Sequence, residues 1–236
     1  FSSHMVGHML ISMLAPVFLA LGGPLTLALR ALPAAGRGNP PGPREWVVEF
    51  MNNPISRFLT HPVVASIQFV AGFYLIYFGG FYQTIASEHL GHMFMNVHFL
   101  ISGYLFYWVI IGVDAAPRQF TSMYMLMVLL GSLPFHAFFG ILLMNYPTVL
   151  AEPWYSGIGL PWIPDLLQSQ RVGGGVAWAM GEIPLFIVMI ALAWQWYQSD
   201  MREARRSERQ AERDDDAELR AYNEMLAQMA EADRRH

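Results

Sequence analysis

The alternation of apolar and polar stretches divides the chain into five apolar runs, 5–29, 62–80, 92–113, 120–144 and 176–197. Each is close to the ~20 residues that a helix needs to cross the hydrocarbon core of a bilayer. Pro16 and Gly22-Gly23-Pro24 interrupt the first run, and Pro134 lies inside the fourth. Neighbouring helices re-satisfy the backbone groups that such residues free within a membrane, so the pattern predicts kinks and not breaks. Between the runs, 34–43 is rich in Gly and Pro and reads as a loop, and 45–59 reads as a short helix on the membrane surface. Thr60 stands where an N-cap belongs, just before the helix that Pro62 opens. The connection 145–175 is long and carries Pro147, Pro153, Pro161 and Pro164 among aromatic residues, so it is expected to pack over the mouth of the bundle. From Ser199 onward, charges of both signs alternate at helical spacing, the pattern of a solvated helix. Leu219, Tyr222, Leu226 and Met229 make a weak apolar stripe on it, under two heptads and too short for a coiled coil. The expected fold class is all-α: a polytopic transmembrane helical bundle with five spans, residues 1–198, followed by a charged helical cytoplasmic tail, residues 199–236.

Composition agrees with a membrane protein. Hydrophobic residues make up 54% of the chain and charged residues 14%, where soluble proteins average about a quarter charged. The chain has no cysteine, which excludes both a disulfide framework and a thiolate metal site. It shows no Gly-rich phosphate loop, no internal repeat and no nucleic-acid signature. All 14 basic residues are Arg. Arg30, Arg37, Arg44 and Arg57 lie between the first two runs, Arg118 lies between the third and fourth, and eight more follow the fifth. Only Arg171 falls in the alternate set of connections. The positive-inside rule then places the Arg-bearing connections and the tail in the cytoplasm of a bacterial plasma (inner) membrane, with 81–91 and 145–175 outside. Trp46, Trp154, Tyr155, Trp162, Trp178, Trp194, Trp196 and Tyr197 fall near the interfaces, as an aromatic belt does.

This orientation collects the candidate chemistry on the outer side. His4 and His8 are four residues apart and share a helix face, with Met5, Met9 and Met13 on an adjacent one. Glu88, His89, His92, Met93, Met95 and Asn96 crowd the outer mouth of the third run. His98 lies roughly 9 Å below His92, His136 roughly 12 Å below Met144, and Glu182 roughly 9 Å below Val176, at the rise of an α-helix. His98, His136 and Glu182 therefore reach similar depth on three helices. A single intramembrane His is more often packed and hydrogen-bonded than a ligand, and Met is a common gap-filler. The convergence of imidazoles, thioethers and one acid is what points to a metal, and imidazole with thioether suits Cu(I). The candidate metal ligands are His4, His8, His89, His92, His98, His136, Glu182, Met5 and Met93, and the expected ion is copper. His61 and His236 lie on the cytoplasmic side, with no metal role expected. Asp114 and Arg118 flank a tight turn and read as a cap with a local ion pair.

Four blocks of the chain resemble a known family. They are His4-Met5-x-x-His8-Met9 with Ala15-Pro16 and Gly22-Gly23-Pro24; Glu88-His89 through His98-Phe99, with Gly103-Tyr104-Leu105-Phe106 and Gly112-Val113-Asp114; Pro134 through Gly140; and Arg171-Val172-Gly173-Gly174 with Trp178 and Gly181-Glu182-Ile183-Pro184. In this order, covering about 1–198, they resemble the CtaG family of cytochrome c oxidase assembly proteins, in its actinobacterial form that is often fused to a CopD-like copper-resistance domain. That family shows more spans than five, which implies that part of the fold is missing, and a start at Phe1 inside an apparent structural element leads us to expect an N-terminal truncation. Ala115 stands where the family often has Pro, which affects only the turn. The resemblance implies a role in maturing a haem–copper oxidase without catalytic turnover, with oxidase subunits, the lipid bilayer and a fused or associated CopD-like domain as partners. The family's His positions match His4, His8, His89, His98 and His136, and its buried acid matches Glu182. Read without the family, the same residues also fit a b-type haem protein with His98 and His136 as axial ligands, a copper permease, or a metal-free assembly scaffold.

Overall fold

A computed structural model of the chain describes residues 1–36, 38–117, 120–159, 161, 163, 165–213 and 217–234. Arg37, Arg118, Trp162, Pro164, Arg235 and His236 lie outside the described residues. Among those described there is no strand. The first span is α1 (Ser2–Met9), a π-helical turn (Leu10–Leu14) and α2 (Ala15–Leu21). Pro16 is the cause of the π turn. It has no N–H to claim the carbonyl four residues back, and the Ala15 N–H reaches to Leu10 instead. The freed Ser12 carbonyl is met by Gly103, where any side chain would collide with it. The expected kink is thus a widened turn that lets the helix His89–Ile111 approach closely.

The short helices α3 (Pro24–Ala31), α4 (Pro43–Asn52) and α5 (Pro54–Leu59) follow. The surface helix expected over 45–59 is two helices, because Pro54 restarts the chain after an extended Asn53 whose side chain accepts from the Ile55 N–H. The Thr60 hydroxyl donates back to the Ser56 carbonyl, so His61 and not Thr60 occupies the N-cap of α6 (Pro62–Phe78). Next come α7 (Tyr82–Ser87), α8 (His89–Ile111), α9 (Ser122–Asn145), α10 (Glu152–Ile158), α11 (Leu166–Arg213) and α12 (Ala217–Arg234). Among the described residues, four helices are long and apolar enough to cross a membrane: 2–21, α8, α9 and the apolar part of α11. The fifth run is α6, with 17 residues, at the short end of what can span.

α8 is the hub of residues 1–192. It packs against α2, the π turn, α6 and α7, while α6 bridges α8 and α9. α11 starts ten residues before the expected 176, since the glycine run is helical and serves close packing. A Cβ at Gly174 would stand 2.6 Å from Met144 Cγ, and one at Gly140 would stand 2.8 Å from Trp178 Cβ. Small residues at such contacts let membrane helices approach without a side chain between them. The connection between α9 and α11 is fastened by Gln170, which is wholly buried, accepts from the Leu150 N–H and donates to the Thr148 carbonyl. The Asp114 carboxylate caps α3 across the sequence, accepting from the N–H groups of Leu25 and Thr26 and from the Thr26 hydroxyl. Burial opposes ionisation of Asp114, but the Thr26 hydroxyl and the N–H groups of Leu25, Thr26 and Ala115 outweigh it and hold the carboxyl below its ordinary value. Residues 193–236 form a second unit. In it, Tyr222, Leu226 and Met229 are exposed, as a solvated helix requires.

Candidate metal centre

Three imidazoles meet at one end of the bundle. His4 and His8 come from successive turns of α1, and their rings lie 4.1 Å apart. His92 comes from the first turn of α8 and stacks on His4 at 4.9 Å. One ring nitrogen from each falls within 4.8 Å of the other two. His4 Nε2 and His92 Nε2 face each other at 2.7 Å. His8 is 2% exposed, and its Nε2 is buried with no hydrogen-bond partner among the described residues. A buried polar atom without a partner is costly, and it is what a ligand site without its ion leaves behind. An ion bonded to nitrogen at about 2 Å in trigonal geometry needs the His4–His92 pair to part by roughly 0.8 Å, a small ring rotation.

The far side of each first-helix imidazole is held by phenols. His8 Nδ1 is 2.6 Å from the Tyr77 hydroxyl, which donates to Met5 Sδ at 3.8 Å. His4 Nδ1 is 2.8 Å from the Tyr155 hydroxyl and 3.2 Å from that of Tyr82, and these two hydroxyls are 2.7 Å apart. The donors and acceptors are consistent with metal binding. With Nε2 given to an ion, each Nδ1–H donates to a phenol oxygen, Tyr77 passes its own proton to Met5 Sδ, and one of Tyr82 and Tyr155 donates to the other. Burial pushes the Tyr82 and Tyr155 hydroxyls well above the ordinary phenol value, so they stay protonated and serve as neutral anchors. The short helices α7 and α10, which supply Tyr82 and Tyr155, pack against each other over the imidazoles. Trp154 adds a ring edge 5.6 Å from His4.

The remaining candidates take separate places. Met5 is fully buried and reaches the group through Tyr77. His89 and Met93 are exposed at the start of α8. His98 turns to α6, its Nε2 buried and aimed at Gly72, where a Cβ would stand 2.7 Å away. His136 is 2% exposed, with both nitrogens unpartnered among the described residues, and fills the space that Gly181 leaves on α11. Glu182 is half-buried on the next residue. The structure thus brings together His4, His8 and His92. It does not bring His89, His98, His136, Glu182 or Met93 into that group. Nothing in the sequence pattern marks the phenols of Tyr77, Tyr82 and Tyr155, because hydrogen-bonding partners behind a ligand carry no spacing signature of their own.

Comparison with known proteins gives a concordant picture. A family model described as cytochrome c oxidase caa3 assembly factor matches residues 1–199. Proteins of Mycobacterium bovis and Mycobacterium tuberculosis, both described only as uncharacterised, are 45% identical over 231 residues, 98% of this chain. A Mycobacterium leprae protein with the same description is 46% identical over 233 residues. The chain spans about a third of the length of these relatives, 35% in each case. No solved structure matches.

Proposed function

Because the chain belongs to the cytochrome c oxidase caa3 assembly factor family, we propose that it serves oxidase maturation by holding a copper ion at His4, His8 and His92 and passing it to an oxidase subunit. The observation that carries this reading is the unpartnered, buried Nε2 of His8, on a ring that brings one nitrogen within 4.8 Å of a nitrogen of His4 and of His92. The chemistry of the group favours Cu(I). All three ligands are neutral, and no carboxylate belongs to the group among the described residues. A largely buried site with neutral ligands leaves the ion's charge uncompensated, so a monovalent ion is held at less cost than a divalent one. Imidazole accepts Cu(I), and three ligands leave a side open for transfer.

In this reading the exposed His89 and Met93 receive the ion at the mouth. Met5 acts behind Tyr77, and the phenols fix the ring orientations. The protein turns over no substrate; its work is custody of the ion at the outer face of a plasma membrane. Full-length protein purified in detergent, loaded with Cu(I) under reductant and then desalted, tests the reading. Wild type is expected to retain about one copper per chain, and His8→Gln and His92→Gln to retain almost none. His98→Gln and His136→Gln should leave the stoichiometry unchanged. Equal copper retention in wild type and His8→Gln overturns the site, and absence of copper from all of them makes a metal-free scaffold the better reading.

A further inference from the structure

At the end of α6 away from the imidazoles lie two neighbouring cavities. One, of about 600 Å³, is bounded by Pro54, Arg57, Phe58 and His61. The other, of about 700 Å³, is a groove between α6 and α9. Val63 lines both, so the basic mouth and the groove adjoin at that residue. We infer that this pair of cavities holds one anionic phospholipid, its phosphate against Arg57 and His61 and one acyl chain along the groove.

The groove is apolar although two serines line it. The Ser66 hydroxyl donates to the Pro62 carbonyl and the Ser132 hydroxyl to the Leu129 carbonyl, so both are turned into their own helices. Tyr74 marks the far end, where its hydroxyl donates to the Phe135 carbonyl at 2.6 Å and ties α6 to α9. From Val63 to Tyr74 the groove runs about 16 Å at helical rise, about half of the ~30 Å hydrocarbon core and so one leaflet deep. Each cavity is in the size range of ligand pockets, about 300–1,000 Å³.

The mouth fixes the class of lipid. Its charged side chain is Arg57, whose planar guanidinium suits a phosphate, and no carboxylate lines it among the described residues. His61 stands beside it, its ring against Phe120 and Tyr124 at the start of α9. Ile55 and Phe58 of α5 are more than 60% exposed, as side chains dipping into the headgroup layer are, and they hold Arg57 at that level. A free phosphate fits only the mouth, and a hydrocarbon fits only the groove. A headgroup with an added ammonium loses part of the attraction to Arg57. The molecule that uses both cavities is a phospholipid of net negative charge.

Full-length protein in neutral detergent, offered equal amounts of palmitoyl-oleoyl phosphatidylglycerol and palmitoyl-oleoyl phosphatidylcholine and read by native mass spectrometry, tests this. Wild type is expected to retain one phosphatidylglycerol in clear preference. Arg57→Gln should lower that retention about fivefold, the factor one basic residue contributes near an anionic surface, while Arg44→Gln leaves it unchanged. A Cβ at Gly131, which lines the groove, would meet nothing within 4 Å. Gly131→Leu therefore fills the groove without disturbing the helix, and should remove the retained lipid at unchanged helix content. Equal retention of the two lipids by wild type, unchanged preference in Arg57→Gln, or a lipid still held by Gly131→Leu overturns the inference.

Discussion

His8 shows how one side chain acquires a role that its residue type alone does not give. In an apolar helix an imidazole is ordinarily satisfied at both nitrogens by its surroundings. Here Nδ1 is taken by Tyr77 and Nε2 is left without a partner among the described residues. The Tyr77 hydroxyl therefore decides which nitrogen faces the shared space. Tyr77→Phe removes that hydroxyl and nothing else, and is expected to weaken Cu(I) retention about 10- to 100-fold, as loss of a group that orients a ligand does. Competition with a colorimetric Cu(I) chelator reads this directly. Tyr155→Phe should cost less, because Tyr82 remains within 3.2 Å of His4 Nδ1. Equal affinity in wild type and Tyr77→Phe would remove the phenol from the account. At this scale the sequence was half legible. The i, i+4 spacing of His4 and His8 announced a shared face. The phenol behind His8 could not be read, because it lies 69 residues away on another helix and tyrosine in a span has many ordinary uses.

Among the elements, periodicity found the long helices and missed what the short ones do. α8 and α9 begin within three residues of their expected starts, since long apolar runs bounded by polar turns allow little else. α7 and α10 were read as parts of loops, because six or seven residues carry no periodic signal, yet they carry Tyr82 and Tyr155. The glycines at 173–175 looked like a helix boundary and are instead helical, their small size used by α1 and α9. Asp114 makes the same point. It read as a cap within its own turn, and it caps α3 from the far side of the sequence. This contact joins the Gly22-Gly23-Pro24 and Gly112-Val113-Asp114 segments and has a pH signature. Because the carboxyl is held below its ordinary value, its contribution to stability is fully present above the unfolded-state pKa of about 4. It is lost as pH falls through the lowered folded-state value. Asp114→Asn should lower stability by about 1 kcal/mol, in the range of a lost helix cap. It should also flatten the acid limb of the thermal midpoint measured between pH 6 and pH 3. An acid limb identical in wild type and Asp114→Asn would mean that other carboxylates govern it.

The whole molecule is ordered by the distribution of Arg. One set of connections with the tail holds thirteen Arg, and the other set holds only Arg171. The three imidazoles lie at the Arg-poor end of α6 and α8, and the basic mouth formed by Arg57 and His61 lies at the other end of α6. The two sites thus lie toward opposite ends of α6, and the positive-inside rule predicts that the imidazole end faces outward. On the function proposed above, the copper-holding group then opens to the outside. The absence of cysteine among these 236 residues makes this directly measurable on this chain, because a single introduced thiol has no competitor within it. Glu88→Cys, at the exposed start of α8, is expected to react with a membrane-impermeant maleimide in intact cells. Asn52→Cys, exposed at the end of α4, should react only after permeabilisation. The reverse pattern would turn the imidazole group toward the cytoplasm. Copper custody would then have to begin from the cytosolic pool, where thiol carriers compete for Cu(I) and a site of three imidazoles would be a poor match for them. The sidedness of Glu88 therefore tests more than topology, since the choice of imidazole over thiolate is chemically sound only on the outer face.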